Sequence, residues 1–328
     1  MRIREWEKAV IEEIRQKTNA GNLDNISRTV FYEQFFRRNP EIKWSFLASI
    51  VSRNAGYNMS DLEGSWLKRS IPTHYRNLLF LTYERANWLI FSDAYPQLLL
   101  YEKSKKAGEP FFSLLSSFNV SAFMQKEWCV FWQKGDEERL WTSLIINEQH
   151  LIQKPVIEHP VYRRRVFMSM PYRLQNWLHF STVLFPTLNG EMFGFSVHGF
   201  RKVQNRILLG RRLAWLLFQS KYAKDFEEFS RVTPHTGSRQ DYEQYVYPNR
   251  RRDRELLRLT YPLVQHSRPS LPDWSQKKKN LQAYYKKLSI PENINLTKWH
   301  HSKELQLQIG ILLQELLFKD KSDSKKER

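Results

Sequence analysis

Apolar residues recur along this chain at three- and four-residue steps, the spacing of one helix face. Ile3, Trp6, Val10 and Ile14 form the first such stripe. Positions 19–25 are polar and predict a loop; 27–38 read as an aromatic-rich helix stopped by Asn39-Pro40. Ile42, Phe46, Leu47, Ile50 and Val51 mark a third helix, which should end at Gly56, a residue suited to the left-handed cap. A long helix is predicted over 72–93, with Pro96 opening another that closes at 103–108. Segments 122–134 and 137–153 read as a helix pair turned by Gly135-Asp136, and 161–185 as a helix broken at Pro171. One small hairpin around Asn189-Gly190 fits the weak alternation of 187–199. The strongest later helix is 201–229. Prolines then punctuate 231–274, predicting irregular backbone wrapped over the core with one short helix at 251–259. Helices resume over 277–288 and 296–318, the latter striped by Leu305, Ile309, Leu312 and Leu316. The expected fold class is all-α: a single helical unit over 1–318, with any boundary near 155, and a solvated tail at 319–328.

Three polar segments, 52–64, 84–87 and 234–242, sit among residues that read as buried. Polar groups in such places need partners or a ligand. Helix-end chemistry absorbs part of them. In the first, Gly56 caps one helix, Ser60 starts the next with Glu63 completing a capping box, and Asp61 suits the first turn. Arg53 and Asn54 are left over. In the third, Gly237 turns, Ser238 caps and Asp241 is its capping-box partner, leaving His235 and Arg239 at a helix N-terminus that favours an anion. In the middle segment, Glu84 and Asn87 share a helix face beside Arg85. An inward Glu84 either has the raised pKa of a general acid or pairs with an arginine such as Arg53 or Arg239. Asn147-Glu148-Gln149-His150 is a similar group, and Glu148 is a second inward carboxylate that could join Glu84 in acid/base chemistry. The candidate polar or anion site is therefore Arg53, Asn54, Glu84, Arg85, Asn87, His235, Ser238, Arg239 and Asp241.

Composition narrows the classes. Hydrophobic residues make up 41% and aromatics 14% of 328 residues, enough for a sizeable core, which excludes a wholly disordered chain. The lone Cys129 allows no internal disulfide, fits a reducing compartment and reads as a buried small hydrophobe. No HExxH, CxxC, glycine-rich phosphate loop or GxSxG occurs, so neither metal nor cofactor is expected. The first eight residues lack the apolar run of a signal peptide, and the charge-free stretches 110–125 and 174–190 are too short and polar for a membrane span. A cytoplasmic location follows as the expectation. Of the net charge of +18, residues 151–300 carry +15. Its clusters are Arg163-Arg164-Arg165, Arg201-Lys202, Arg211-Arg212, Arg250-Arg251-Arg252, Lys277-Lys278-Lys279 and Lys286-Lys287, with aromatics such as Trp215, Tyr247 and Trp274 among them. That mixture suits a nucleic-acid surface.

The strings Asn39-Pro40-Glu41-Ile42-Lys43-Trp44, Ser52-Arg53-Asn54-Ala55-Gly56, the run from Glu84 to Pro96 and that from Pro234 to Tyr242 resemble the YppC-like family of Bacillus and relatives, over most of residues 25–250. The resemblance implies a cytoplasmic bacterial protein and brings no activity, cofactor or catalytic residue with it. Three functions are in view: a non-enzymatic protein that binds nucleic acid or another polyanion through 151–300; an enzyme or small anionic-ligand-binding protein with a site formed by 52–64, 84–93 and 234–242; and a peripheral membrane protein using the basic amphipathic helix 201–220.

Overall fold

The computed structural model of the protein describes residues 4–162, 182–196, 199–248, 255–270, 272–277 and 280–323. Helices α1 (Glu5–Gly21), α2 (Asn25–Arg38) and α3 (Lys43–Asp61) follow one another closely. The expected loop at 19–25 shrinks to 22–24, because Asp24 starts α2 early by accepting from the Ser27 amide at 2.7 Å. Helix α3 passes straight through Gly56. The glycine serves close approach instead of a cap: a Cβ there would lie 2.5 Å from Asn25 Oδ1 and 2.9 Å from His235 Cε1. Ser60 is consequently inside α3 and donates to the Gly237 carbonyl at 2.6 Å. Glu63 makes no capping box and pairs with Arg76 at 2.8 Å.

After the short α4 (Ser65–Ser70) comes α5 (Thr73–Ala107), 35 residues long, with Pro96 in its interior rather than at a helix start. Proline has no N–H, so the Ser92 carbonyl one turn earlier loses its helical donor. Arg268 supplies a substitute, its Nη1 lying 3.4 Å from that carbonyl. Helix α5 also carries Glu84, which is buried and bound to the buried Arg28 of α2 at 2.5 Å. Helices α6 (Ala122–Lys134) and α7 (Glu137–Leu151) form the expected pair, turned by Gly135 at φ 65°. Cys129 is exposed, not buried: Met124, Trp128 and Phe131 set the inward face of α6, and Cys129 falls outside it.

Strands β1 (Thr182–Pro186) and β2 (Met192–Ser196) make one antiparallel hairpin, turned through Gly190 at φ 75°. Residues 182–186 are thus strand where a helix over 161–185 was expected; most of that helix lies outside the described residues. Both edges of the hairpin are covered. Asn54 Oδ1 accepts from the Leu184 amide at 2.9 Å, and the Gly194 amide donates to the Ile294 carbonyl at 3.1 Å. The expected helix at 201–229 is two helices, α8 (Val203–Phe218) and α9 (Ala223–Val232). Then come α10 (Gln240–Val246), a single turn at Leu257–Thr260 and α11 (Thr297–Asp323). The expected helix at 277–288 is replaced by two 3-10 turns, Trp274–Lys277 and Leu281–Tyr285. Leu305, Ile309 and Leu312 are exposed on α11, because its inward face carries His300, Glu304 and Ile311.

Residues 261–270 and 272–274 form a strap laid along α5 and on to α6 and α7. Tyr261 stacks on Phe80, centroids 3.7 Å apart. His266 sits beside Trp88 at 5.3 Å, Arg268 reaches Ser92 and Asp93, and Trp274 meets Asn147. Beneath it, one hydrophobic cluster runs from Ile11 to Phe226 through Phe91, Tyr95, Trp128, Ile145 and Leu216. The described structure is mostly α-helical, and none of its helices is long and apolar enough to cross a membrane.

Glu84→Gln leaves the Arg28 guanidinium buried without its countercharge. It should destabilise the fold by roughly 3–5 kcal/mol in chemical unfolding, with a lowered melting temperature. An unchanged or raised midpoint would contradict this role for the pair.

Candidate functional site

The structure brings two of the three polar segments together. Arg53 is buried and donates to the Thr233 and Ser230 carbonyls at 2.7 and 3.1 Å, closing the last turn of α9. His235 Nε2 lies 2.9 Å from Asn25 Oδ1, and its Nδ1 lies 3.4 Å from Asp241. Burial holds the His235 pKa below its usual value, against the pull of Asp241. Asp241 accepts from the Thr236 amide and hydroxyl at 2.9 and 2.5 Å, so it boxes Thr236 and not Ser238. The Ser238 hydroxyl accepts from the Gln240 amide at 3.2 Å. Arg239 reaches Asp61 at 2.7 Å and Glu304 at 3.3 Å. The middle segment joins this seam only through α2: Glu84 pairs with Arg28, one turn from Asn25, and not with Arg53 or Arg239. Arg85 lies over the Trp88 ring at 5.4 Å and Asn87 donates to the Tyr83 carbonyl at 2.8 Å, both within α5. Two voids beside the seam, lined in part by Asn54, Tyr57 and Arg239 or by Arg53 and Phe229, measure about 10 Å³ each, the space of a water.

Of the basic clusters, Arg163, Arg164, Arg165, Arg250, Arg251, Arg252, Lys278 and Lys279 lie outside the described residues, and Lys277 ends a 3-10 turn. Arg211 and Arg212 of α8 donate to the Lys286 and Ser289 carbonyls at 2.9 and 3.1 Å. The apolar face of α8, with Ile207, Ala214, Leu216 and Leu217, is buried in the core.

A cavity of about 700 Å³ opens where the strap crosses from α5 to α7. Asp93, buried on α5, forms its floor. Arg268 Nη2 donates to Asp93 Oδ1 at 2.6 Å, and the Asn147 and Gln97 amides donate to Oδ2 at 2.7 and 2.8 Å. Burial nonetheless keeps the Asp93 pKa above the ordinary carboxylate value, with Arg268, Asn147 and Gln97 pulling the other way. Asn147 Oδ1 accepts in turn from Ser121 at 2.8 Å and from the Trp274 indole at 3.0 Å. His150 stacks on Trp274, ring centroids 4.3 Å apart. The rim is different in character. Lys154, Arg201 and Lys202 stand there exposed beside one carboxylate, Glu158, which accepts from Gln153 at 2.8 Å, and among the described residues no carboxylate forms a salt bridge with any of the three cations. Arg206 fixes that rim. It is buried, donates to the Phe200, Arg201 and Gln149 carbonyls at 2.8–3.2 Å, and has its pKa pushed down to about 10 by desolvation. A π-turn at Gln153–Ile157, a form frequent at functional sites, supplies the facing wall.

Sequence reasoning singled out Asn147 and His150 and reached Asp93 as the end of its middle segment. It missed Arg268, Ser121 and Gln97, and it read Trp274 as an aromatic of a nucleic-acid surface. The available signal was Asp93 three residues before a mid-helix proline: a buried carboxylate beside a carbonyl without its helical donor demands a cationic donor from elsewhere.

Glu148 follows Asn147 on α7, faces the Trp44 side and has its pKa raised to about 7 by burial. A folded pKa above the unfolded value near 4.5 means that the folded state holds this proton more tightly. The stabilisation is present below about pH 4.5 and is lost as pH rises through about 7. The stability of Glu148→Gln relative to the parent should therefore grow by roughly 1–3 kcal/mol between pH 5 and pH 8 in parallel urea titrations. A difference independent of pH would refute the raised pKa.

Comparison with known proteins places this chain among its relatives. A family model described as "Protein of unknown function (DUF2515)" matches residues 21–301. The "Uncharacterized protein YppC" of Bacillus subtilis (strain 168) is 45% identical over 311 residues, covering 94% of this chain and 97% of that protein. No solved structure matches the chain. With the family model matched from α1 to the first turn of α11 and a relative aligned over nearly its whole length, the chain belongs to the DUF2515 family.

Proposed function

We propose that the protein binds a small anionic ligand in the cavity between the strap, α5 and α7. The observation that carries this reading is the pairing of a fixed polar floor with a cationic rim. A void of about 700 Å³ falls in the range of small-molecule sites. Its floor groups are held by one another at 2.6–3.0 Å, so they are preorganised to orient a ligand. Lys154, Arg201 and Lys202 then supply charge at the mouth, where a phosphate or carboxylate would dock. Asp93 carries three donors and acts as a positioning group rather than a base. Trp274 on the wall gives an optical probe. Pyrophosphate, ATP and citrate, titrated one at a time at low salt, should include at least one that changes tryptophan emission and raises the melting temperature. The double variant Arg201→Ala, Lys202→Ala should weaken that ligand about tenfold or more, roughly 1.4 kcal/mol. Failure of all three anions to bind, or equal binding by the variant, would overturn the reading.

A second reading, polyanion binding, is favoured by the charge of +15 on residues 151–300. Lys154, Arg201 and Lys202 belong to that stretch, so cavity and surface share a cationic edge. Neutralising about six phosphates would give a log–log salt slope near −5 in fluorescence anisotropy with duplex DNA and single-stranded RNA. Absence of binding to either at ~50 mM salt removes this reading.

A further inference from the structure

We infer that Glu243, His300 and Glu304 form a binding site for a first-row divalent cation. Glu243 comes from α10; His300 and Glu304 stand one turn apart on α11, so both project from one face. All three are buried, His300 completely. Their donor atoms lie within 4.8 Å of one another, and His300 Nε2 is 3.5 Å from Glu304 Oε1. Ligands held roughly 2.1 Å from one metal lie roughly 3–4 Å apart, so small rotamer adjustments would close the set around an ion.

The surroundings hold the Glu304 carboxylate in place. Glu304 Oε2 accepts from the Tyr247 hydroxyl at 2.8 Å, and that hydroxyl lies 2.6 Å from His301 Nδ1. Such outer contacts fix the orientation of a ligating carboxylate. Arg239 sits 3.3 Å from Glu304 Oε1 but only 2.7 Å from Asp61. A cation taking Oε1 would leave Arg239 its shorter partner. One imidazole and two carboxylates select Mn²⁺, Fe²⁺ or Zn²⁺ over Ca²⁺ and Mg²⁺, which prefer oxygen alone. Glu243 is far from His300 in sequence, so no spacing motif marks the site and the expectation of no metal had nothing to set against it. The ion would tie α11 to the 234–247 segment, which anchors through Arg239 and Asp61 to α3.

The test uses full-length protein stripped with a chelator, dialysed and reloaded with Mn²⁺ or Zn²⁺, with bound metal measured by mass spectrometry. One equivalent per chain is expected for the parent. His300→Ala and the near-isosteric Glu243→Gln should each lower affinity at least roughly tenfold. Added metal should raise the melting temperature of the parent and not that of His300→Ala, while circular dichroism checks that both variants fold. A parent that takes up no stoichiometric metal overturns the inference. So does equal loading of parent and folded variants, which would assign the ion to surface histidines.

Discussion

Arg28 and Glu84 leave water together, and the arrangement of the N-terminal half follows from that one pair. Both side chains are almost wholly buried and meet at 2.5 Å. Removing two charges from water is costly, and the cost is offset only when geometry is fixed and neighbouring groups complete the hydrogen bonding. Asn22 supplies part of this: its Oδ1 accepts from Arg28 at 3.2 Å while its amide donates to the Trp88 carbonyl of α5 at 3.2 Å, and Arg28 Nε and Glu84 Oε1 have no hydrogen-bond partner among the described residues. His266 of the strap closes over the same carboxylate at 4.0 Å, its pKa pushed down to about 4 by burial and by the Arg85 and Arg28 charges. The pair thus ties α2 to α5 at this level, and the strap passes the same place through His266.

The cavity follows from this placement. Once His266 is fixed beside Glu84 and Trp88, Arg268 falls two residues on, at the level of Ser92 and Asp93. There it meets two needs at once, the carbonyl that Pro96 deprives of its donor and the Asp93 carboxylate. The strap then crosses to α6 and α7, where Asp273 accepts from the Ala122 amide at 2.8 Å and Trp274 donates to Asn147. The crossing leaves a gap between strap and helix pair, floored by the groups that hold the strap down. Stability and the shape of the site thus depend on the same hydrogen bonds.

How much of this was legible follows from what a local pattern can carry. The all-α class was, because apolar spacing is a property of each segment alone. So were the α6–α7 turn at Gly135 and the hairpin turn at Gly190, since a positive φ narrows the residue choice. Gly56 was misread because a glycine gives the same sequence signal whether it ends a helix or lets Asn25 and His235 approach one. Pro96 was misread because the donor that makes it tolerable, Arg268, lies 172 residues on, a separation no local rule spans. Arg28 went unnoticed because it stands in a helix whose other arginines, Arg37 and Arg38, are solvated. The exposed stripe of α11 inverted the reading for a related reason: that helix packs through His300 and Glu304, and polar packing leaves no apolar periodicity to detect.

The sequence strings that looked most chemical, 52–64 and 234–242, are largely occupied by structure. Arg53 closes a helix end, Asp241 boxes Thr236, and Ser60 and Gly237 join α3 to the segment that follows α9. Dense polarity in a buried place is satisfied either by a ligand or by the protein itself, and here the second dominates. The cavity to which we assign a ligand lies further along α5, where the polar groups are already paired along the floor and Lys154, Arg201 and Lys202 stand at the rim. A binding cavity needs polar groups that are fixed before the ligand arrives, together with space that no side chain fills. Residue type signals the first requirement in sequence; the second arises only when separate elements cross, as the strap does over α5 and α7.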